Sequence, residues 1–185
     1  GLEVIPPQFE EALDFSSNMA AFKKNGLWGY LDLNGKIAII PKFIDAHYFS
    51  EGLASAQDEQ SKLWGYINTS GEWAIKPMFG KAVSFSDGLA AIKSDKGNMW
   101  GFVDKSGKLV IPCKYRSEDY LPKFSDGFAN CQAYDAMDNN NRSYIIDKSG
   151  SPAVFFEQGK PVGAFSNGLM LVRDEGGKYG YAGVD

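Results

Sequence analysis

The chain has 185 residues and a net charge of −4, from 19 basic and 23 acidic residues that are spread without long runs. Nucleic acids and anionic membranes are bound by clustered Lys and Arg, so the composition argues against both partners. The longest apolar runs, "IAII" and "AVFF", are far shorter than a transmembrane helix, so membrane insertion is not expected either.

One Trp-Gly hairpin recurs along the chain at a fixed interval. The stretches "WGYLDLNGKIAIIP", "WGYINTSGEWAIKP" and "WGFVDKSGKLVIP" begin at Trp28, Trp64 and Trp100, in steps of 36 residues. The equivalent positions in the next two units are Ser143, 43 residues after Trp100, and Tyr179, 36 residues after Ser143. The repeat therefore continues beyond a seven-residue insertion. A repeat of this length cannot bury its own apolar surface, and the repeats are therefore expected to stack.

These steps divide one predicted domain, residues 1–185, into repeat units. A partial unit at 1–27 comes first, and a partial unit at 179–185 comes last. The full units between them are predicted at 28–63, 64–99, 100–142 and 143–178.

Each unit is predicted to contain short strands joined by two kinds of turn. "DLNG", "NTSG" and "DKSG" place Asp or Asn three residues before glycine, which suits a type I turn capped by that side chain, with a left-handed glycine. Later in the unit an "FS(E/D)G" turn precedes a further strand, and the recurrent acidic residues Glu51, Asp87 and Asp126 are interpreted as caps of these turns. The glycines of the two ladders are Gly35, Gly71 and Gly107, and Gly52, Gly88 and Gly127.

The strand between these turns is apolar on both faces, as in "KIAIIP", which predicts that neighbouring strands cover it on both sides. Proline cannot donate to a strand ladder, so Pro41, Pro77 and Pro112 are predicted to end this strand. No long segment shows a helical apolar period. The chain is therefore predicted to be all-β and antiparallel.

The Trp-Gly pair itself is predicted to be structural. Glycine after tryptophan removes a side chain and lets another backbone approach closely, while the indole fills the junction between units. A stacking interface needs the same residue in the same phase each time, whereas a binding site does not. The residues assigned this role are Trp28, Gly29, Trp64, Gly65, Trp100 and Gly101, together with the two glycine ladders.

These motifs resemble those of the WG repeat family, bacterial arrays with a Trp-Gly-Tyr/Phe-Ile/Val-Asp-x-x-Gly-Lys core and a later Phe-Ser-Glu/Asp-Gly-Leu-Ala turn. The resemblance extends over essentially the whole chain and implies a repeat scaffold without a common enzymatic activity. The sequence departs from it at Ser143, Tyr144 and Ile145 in place of Trp-Gly-Tyr, at "SPAVFFEQ", and at the insertions "RSEDYLPK" and "YDAMDNNNRS". Loops that break a repeat are where an individual function is expected.

The array is predicted to hold about five units. An open, curved solenoid is slightly favoured, and a closed propeller-like ring is the alternative, because the two terminal pieces together would complete one unit. The chain begins at Gly1 inside a repeat, which suggests a trimmed mature domain. Its compartment stays open, and a cell-envelope or secreted location is compatible with removal of a signal segment.

No catalytic or metal-binding constellation is evident in the sequence. His47 is the only histidine, so neither a multi-histidine metal site nor a serine-type triad is possible. The "YDAMDNNNR" loop lacks the ligand spacing of a calcium loop. Cys113 and Cys131 are too few for a disulfide scaffold, and we expect no bridge between them. The protein is therefore predicted to be no enzyme and to hold no cofactor or metal.

Four residues are candidates for a recognition surface. Trp73 replaces the aliphatic residue found at this position in its sister units, and Tyr120, Tyr134 and Met137 belong to the insertions. The leading hypothesis is a non-enzymatic scaffold for protein–protein interaction, with an unknown partner. The alternative is a carbohydrate or cell-wall binding module, which would need exposed, coplanar aromatic rings. An enzyme that uses carboxylates from two units is the third hypothesis.

Overall fold

A computed structural model describes residues 5–116, 121–135, 140–155, 160–174 and 176–183. Within these ranges the chain is all-β with antiparallel pairing and contains no helix, as predicted. No helix that could cross a membrane is therefore found there. The chain forms two compact bodies, the N-terminal body (residues 1–85) and the C-terminal body (residues 86–185).

In the N-terminal body each strand pairs antiparallel with the next one along the chain, because every connection is a tight turn or short loop. The strands are β1 (Glu11–Ala12), β2 (Met19–Lys24), β3 (Leu27–Asp32), β4 (Ile37–Ala46), β5 (Ala54–Asp58), β6 (Trp64–Ile67) and β7 (Trp73–Ala82).

The C-terminal body continues this pattern in three groups of consecutively paired strands. The first group is β8 (Leu89–Ser94), β9 (Trp100–Asp104) and β10 (Leu109–Tyr115). The second is β11 (Phe124–Ser125), β12 (Phe128–Asp135), β13 (Asn140–Asp147) and β14 (Pro152–Phe155). The third is β15 (Lys160–Ser166), β16 (Leu169–Arg173) and β17 (Tyr179–Gly183).

The Asp-x-x-Gly turns have the predicted geometry. Asp32 Oδ1 accepts hydrogen bonds from the backbone N–H groups of Asn34 and Lys36, both at 2.9 Å. Gly35 has φ of 75°, a left-handed conformation that costs glycine little. The prediction of a side-chain-capped turn is confirmed here, and the same bonds recur at Asn68, Asp104 and Asp147.

The "FS(E/D)G" turns are two-residue hairpins of type I′. Glu51 and Gly52 have φ of 52° and 88°, and Ser50 and Leu53 exchange backbone hydrogen bonds of 2.8 and 3.0 Å across them. This turn matches the right-handed twist of the strands it joins, and it requires two left-handed residues. Asn18, which replaces the repeat glycine, has φ of 65°, because asparagine tolerates this region better than most residues.

Successive hairpins are linked by side-chain hydrogen bonds, which we call the turn ladder. Ser50 Oγ donates to the carbonyl oxygen of Phe85 at 2.8 Å, 35 residues further along the chain. The equivalent bonds are Ser16 to Phe49 (2.7 Å), Ser86 to Phe124 (2.5 Å) and Ser125 to Phe165 (2.7 Å).

Two of the turn aspartates belong to the same ladder. Asp87 Oδ2 accepts a hydrogen bond from the backbone N–H of Gly127 at 2.8 Å, and Asp126 Oδ2 accepts one from Gly168 at 3.2 Å. The interpretation of these two carboxylates as caps of their own turns is therefore wrong. Each side chain points to the next hairpin, because its own left-handed turn is already closed by backbone bonds.

The proline of each unit lies within a strand rather than at its end, so that prediction is wrong. Strand β4 runs through Pro41 to Ala46, and β7 and β10 likewise continue past Pro77 and Pro112. Pairing with β3 jumps from Tyr30–Ile39 to Trp28–Phe43, and Pro41 lies in the bulge between these pairs. Proline is tolerated at bulges, because no ladder hydrogen bond needs its nitrogen there.

The bulge also explains why the second strand is not covered on both faces, as its composition predicted. Ile39 is buried, but Ile37 and Ile40 are 50% and 68% exposed. Ile40 lies inside the bulge, where the regular alternation of side chains is interrupted. The core of the N-terminal body is instead built from Ile39, Phe43 and neighbouring buried residues of β2, β3, β5 and β6.

Candidate functional site

The glycine of each Trp-Gly pair faces this bulge at very short range. A Cβ at Gly65 would lie 2.5 Å from the carbonyl oxygen of Ile75 and 2.8 Å from the nitrogen of Pro77. The positions at Gly29 and Gly101 are equally crowded. The preceding tryptophans, Trp28, Trp64 and Trp100, are 6%, 5% and 2% exposed, and this leaves them little surface to offer a ligand.

Ser143 occupies the register position of these tryptophans. It pairs with Gln132, four residues after Phe128, just as Trp64 pairs with Gln57, four residues after Leu53. The equivalence predicted from spacing is confirmed by this pairing. The fourth full unit therefore has a serine where its sister units bury an indole.

The residue after Ser143 is Tyr144 instead of glycine, and the backbone differs accordingly. Tyr144 pairs with Phe155 and Ile145 with Val154, so the pairing is consecutive where sister units have the bulge. At the sister glycines a Cβ would collide with the bulged strand, so the bulge there requires glycine.

A cavity of 520 Å³, which we call the Ser143 cavity, is lined in part by Ser143 in the C-terminal body. Its apolar wall consists of Phe128, Phe165 and Met170, and the Phe128 and Phe165 ring centroids are 5.0 Å apart. Phe165 and Met170 are 2% and 0% exposed, so packing holds this wall in place. Its volume falls in the range of small-molecule and side-chain pockets.

The opposite side of the Ser143 cavity is polar and its rim is positively charged. Its amide and hydroxyl groups come from Asn130, Gln132 and Ser143. The rim also includes Lys123, which lies just before β11, and Lys160, the first residue of β15. In the part of the chain that the structure describes, neither lysine forms an ion pair, and no acidic side chain lines the cavity. Such a cavity suits a group that is both apolar and anionic.

The four residues predicted from sequence do not come together as one site. Trp73 is half-buried, its indole packs edge-on against Phe43 at 5.5 Å, and it contacts the core of the N-terminal body. Tyr120 and Met137 lie outside the described residues, as does the side chain of Tyr134. The stretches that hold these three border, in sequence, the cavity residues Leu121, Gln132 and Ser143.

His47 has a structural environment. Its ring stacks on Trp64 at 5.0 Å with an interplanar angle of 20°, and Nδ1 lies 2.8 Å from Ser55 Oγ. Burial lowers the pKa of His47 below its ordinary value, which the nearby Asp45 carboxylate partly offsets. The ring is therefore neutral at pH 7 and completes the packing around a repeat tryptophan.

The recurrent carboxylates of the Asp-x-x-Gly turns are exposed and committed to their turns. Hydrogen bonds from turn amides and serine hydroxyls hold the pKa values of Asp32, Asp104 and Asp147 below their ordinary value. An acid catalyst needs the opposite shift. Among the described residues, no group of three His, Cys, Asp or Glu side chains is arranged to hold a metal ion.

Cys113 and Cys131 are both free thiols. Burial raises the pKa of both, and Cys131 is 0% exposed. A buried thiol with a raised pKa is a poor nucleophile. Cys131 therefore acts as a small core residue on β12.

Sequence reasoning did not identify the wall of the Ser143 cavity. Phe128, Phe165 and Met170 occupy ordinary strand positions, and nothing in their spacing marks them. The available signal was the loss of the Trp-Gly pair at Ser143 and Tyr144, which the sequence showed as a departure from the repeat. A serine in place of a buried tryptophan leaves the volume of an indole side chain unfilled, and the strand pairing of Ser143 locates that volume.

Several solved structures are similar to this chain at low sequence identity. Hsv2 from Kluyveromyces lactis is 10% identical with a TM-score of 0.56, over 91% of this chain and 58% of that chain. The virginiamycin B lyase from Staphylococcus aureus is 17% identical with a TM-score of 0.49, over 92% and 68%. BamB from Moraxella catarrhalis is 10% identical with a TM-score of 0.45, over 91% and 74%. At these identities the likeness to Hsv2 concerns the fold alone.

No curated protein sequence matches this chain. A family model described as "WG containing repeat" matches it in four consecutive segments, residues 3–28, 28–60, 64–97 and 100–130. The last match ends before Ser143, where the Trp-Gly pair is lost. The match spans well over half of the residues and agrees with the repeat geometry described above. The chain therefore belongs to the WG repeat family.

Proposed function

We propose that this chain is a non-enzymatic scaffold that binds another protein, and that the Ser143 cavity is its contact site. The cavity itself is the observation that carries the proposal. It is a preformed recess with a rigid apolar wall, at the one described unit in which the Trp-Gly pair is replaced by Ser143 and Tyr144.

The rim of the cavity favours a macromolecular partner. Leu121 and Val162 are 54% and 47% exposed, although both are large apolar residues at the mouth of the recess. Exposed apolar side chains around a desolvated pocket are the usual arrangement of an interaction hot spot. The turn carboxylates, which the enzyme hypothesis requires, are already engaged in hydrogen bonds within the repeats.

Affinity capture with matched variants tests the proposal. Immobilised wild-type protein is compared with Leu121→Asp/Val162→Asp, which places two carboxylates at the mouth of the cavity. The control is Leu33→Asp/Ile37→Asp, which changes two apolar residues of similar exposure, 59% and 50%, in the N-terminal body. A protein that is retained by wild type and control but lost from the cavity variant, and then binds as a purified protein, supports the proposal.

Two outcomes contradict it. Equal retention of the same proteins by all three chains would place the contact elsewhere. Retention of wall polysaccharide without a protein would favour the carbohydrate-binding alternative. That alternative would then depend on Trp73, because it is the least buried of the four tryptophans.

A further inference from the structure

We infer that the Ser143 cavity accepts an aromatic ring with an adjacent carboxylate. Two sources carry this chemistry: an aromatic side chain next to an acidic residue of a partner protein, and a small aromatic acid. The first source rests on the function proposed above. The assignment is argued from the space, the wall and the charge of the cavity.

The space is that of an indole. Ser143 has the register of Trp28, Trp64 and Trp100, and each of these side chains is at least nine-tenths buried in its own unit. The position therefore accommodates a bicyclic ring wherever the repeat is intact. In the fourth full unit the residue at this position is Ser143, whose own side chain is only a hydroxymethyl group.

The wall is suited to the faces and edges of aromatic rings. Phe128 and Phe165 are tilted by 41° relative to each other, and Met170 lies beside them. Aromatic rings pack favourably against tilted rings and against thioether sulfur. The Gln132 amide on the other side offers hydrogen bonds to an indole N–H or a carboxylate.

The charge of the rim explains why the ring should carry an anion. In two sister units a lysine lies above the repeat tryptophan, with Lys93 Nζ 4.9 Å from the Trp100 ring and Lys23 Nζ 5.8 Å from the Trp28 ring. Ser143 pairs with the neutral Gln132, as Trp64 pairs with the neutral Gln57, so this register position supplies no charge. The positive charge comes from Lys123 and Lys160, which have no acidic partner among the described residues and are available to a carboxylate.

Binding of defined probes to the full chain tests this assignment by calorimetry. The peptide acetyl-Glu-Trp-Glu-amide presents the ring and the charge, acetyl-Gln-Trp-Gln-amide presents the ring alone, and acetyl-Glu-Ala-Glu-amide presents the charge alone. We expect the first peptide to bind at least about tenfold more tightly than either control peptide, because each control lacks one of the two interactions. We also expect its affinity to fall with added salt.

Ser143→Trp is the informative variant, because it fills the cavity with the chain's own indole. It should weaken binding of the Glu-Trp-Glu peptide by at least about tenfold. Tyr179→Trp is its matched control: it introduces an indole at the same repeat position of the next unit, where the native ring is 64% exposed, and it should bind normally. If Ser143→Trp does not fold, Lys123→Gln/Lys160→Gln replaces it and should remove the preference for the acidic peptide.

Each result has a defined meaning. Equal binding by wild type and Ser143→Trp, or equal affinity for the acidic and neutral peptides, overturns the assignment. Failure of the acidic peptide to bind, while Leu121→Asp/Val162→Asp still loses a captured protein, overturns the assignment and leaves the proposed function intact. N-acetyltryptophan binding as tightly as the peptide supports the ring-and-carboxylate chemistry and identifies a small aromatic acid as its source.

Discussion

The backbone of the bulged strand lies very close to the glycine of the Trp-Gly pairs at Gly29, Gly65 and Gly101. Two glycine-to-alanine substitutions at this repeat position are therefore predicted to differ strongly in their effect on stability. In Gly101→Ala the new Cβ would lie 2.6 Å from the carbonyl oxygen of Ile111 and 2.8 Å from the nitrogen of Cys113. In Gly180→Ala, at the same repeat position of the same body, the nearest atom is Val172 Cγ2 at 3.9 Å, an ordinary contact. Neither glycine has the positive φ that would itself penalise alanine.

The expected magnitudes follow from these distances. Cβ contacts below 3.0 Å essentially do not occur, so Gly101→Ala forces the bulged strand to move, and overpacking of this kind costs about 3 kcal/mol of unfolding free energy. Gly180→Ala should be neutral or stabilising by about 0.5 kcal/mol, because alanine restricts the unfolded chain. For a chain of this size the first change lowers the melting temperature by roughly 6–12 °C.

Urea unfolding followed by tryptophan fluorescence measures both variants against wild type. The midpoint and the slope are compared, so that a change in cooperativity is not mistaken for a change in stability. If the free energies of unfolding of Gly101→Ala and Gly180→Ala differ by less than about 1 kcal/mol, the bulged strand can move without loss of stability. The explanation of the glycine by steric crowding would then be wrong.

Three further measurements test other parts of the structure. Ser50→Ala removes the turn-ladder bond to the buried Phe85 carbonyl and should lower the free energy of unfolding in urea by about 1 kcal/mol. The control Ser84→Ala loses only an exposed contact of 3.5 Å and should lower it by less than about 0.5 kcal/mol. Equal losses of stability in the two variants would contradict a stabilising role of the turn ladder. Burial lowers the pKa of His47 below its ordinary 6.5, so the unfolded chain binds a proton more readily than the folded chain, and the free energy of unfolding should fall as pH decreases through 6.5. His47→Phe should flatten this pH dependence of stability between about pH 7 and pH 5. An unchanged pH profile in this variant would contradict the argument. Ser143→Trp should raise the melting temperature in differential scanning fluorimetry by roughly 2–8 °C, because filling the cavity should stabilise the fold by about 1–2 kcal/mol. A lower melting temperature would show that the cavity does not fit an indole.

The sequence predicted the parts of the fold that depend on local chemistry. The turn at Asp32 follows from a carboxylate and a glycine placed three residues apart, and the tight hairpin at Ser50 from an acidic residue followed by glycine. Both sets of bonds close within five residues, so a short stretch contains all the information they need. The all-β class and the repeat phase follow in the same way from periodic residues.

The errors arose where distant residues decide the outcome. Asp87 bonds to a glycine 40 residues away, and no local pattern distinguishes that bond from a turn cap. Ile40 was predicted to be covered, but its exposure depends on a bulge imposed by the close approach of Gly29. The choice between an open row and a closed ring stays a prediction.

The candidate site was predictable only as an interruption of the repeat. Ser143 and Tyr144 stood out as departures from Trp-Gly, yet the resulting cavity depends on Phe128 and Met170, which belong to strands that look ordinary in sequence. Trp73 attracted attention as an unusual aromatic residue, but its indole packs against Phe43. An unexpected large residue often fills a space, whereas an unexpected small one leaves it empty.

The residues that link successive hairpins are different from the residues that decide whether a unit has a recess. The frame is specified by hairpin serines and turn glycines, while the presence of a recess is specified by a separate dipeptide on another strand. Replacement of Trp64-Gly65 by Ser-Tyr should therefore open a recess in that unit, while Ser50 keeps its bond to Phe85. One unit can thus change at this dipeptide while the hydrogen bonds that link successive hairpins stay the same.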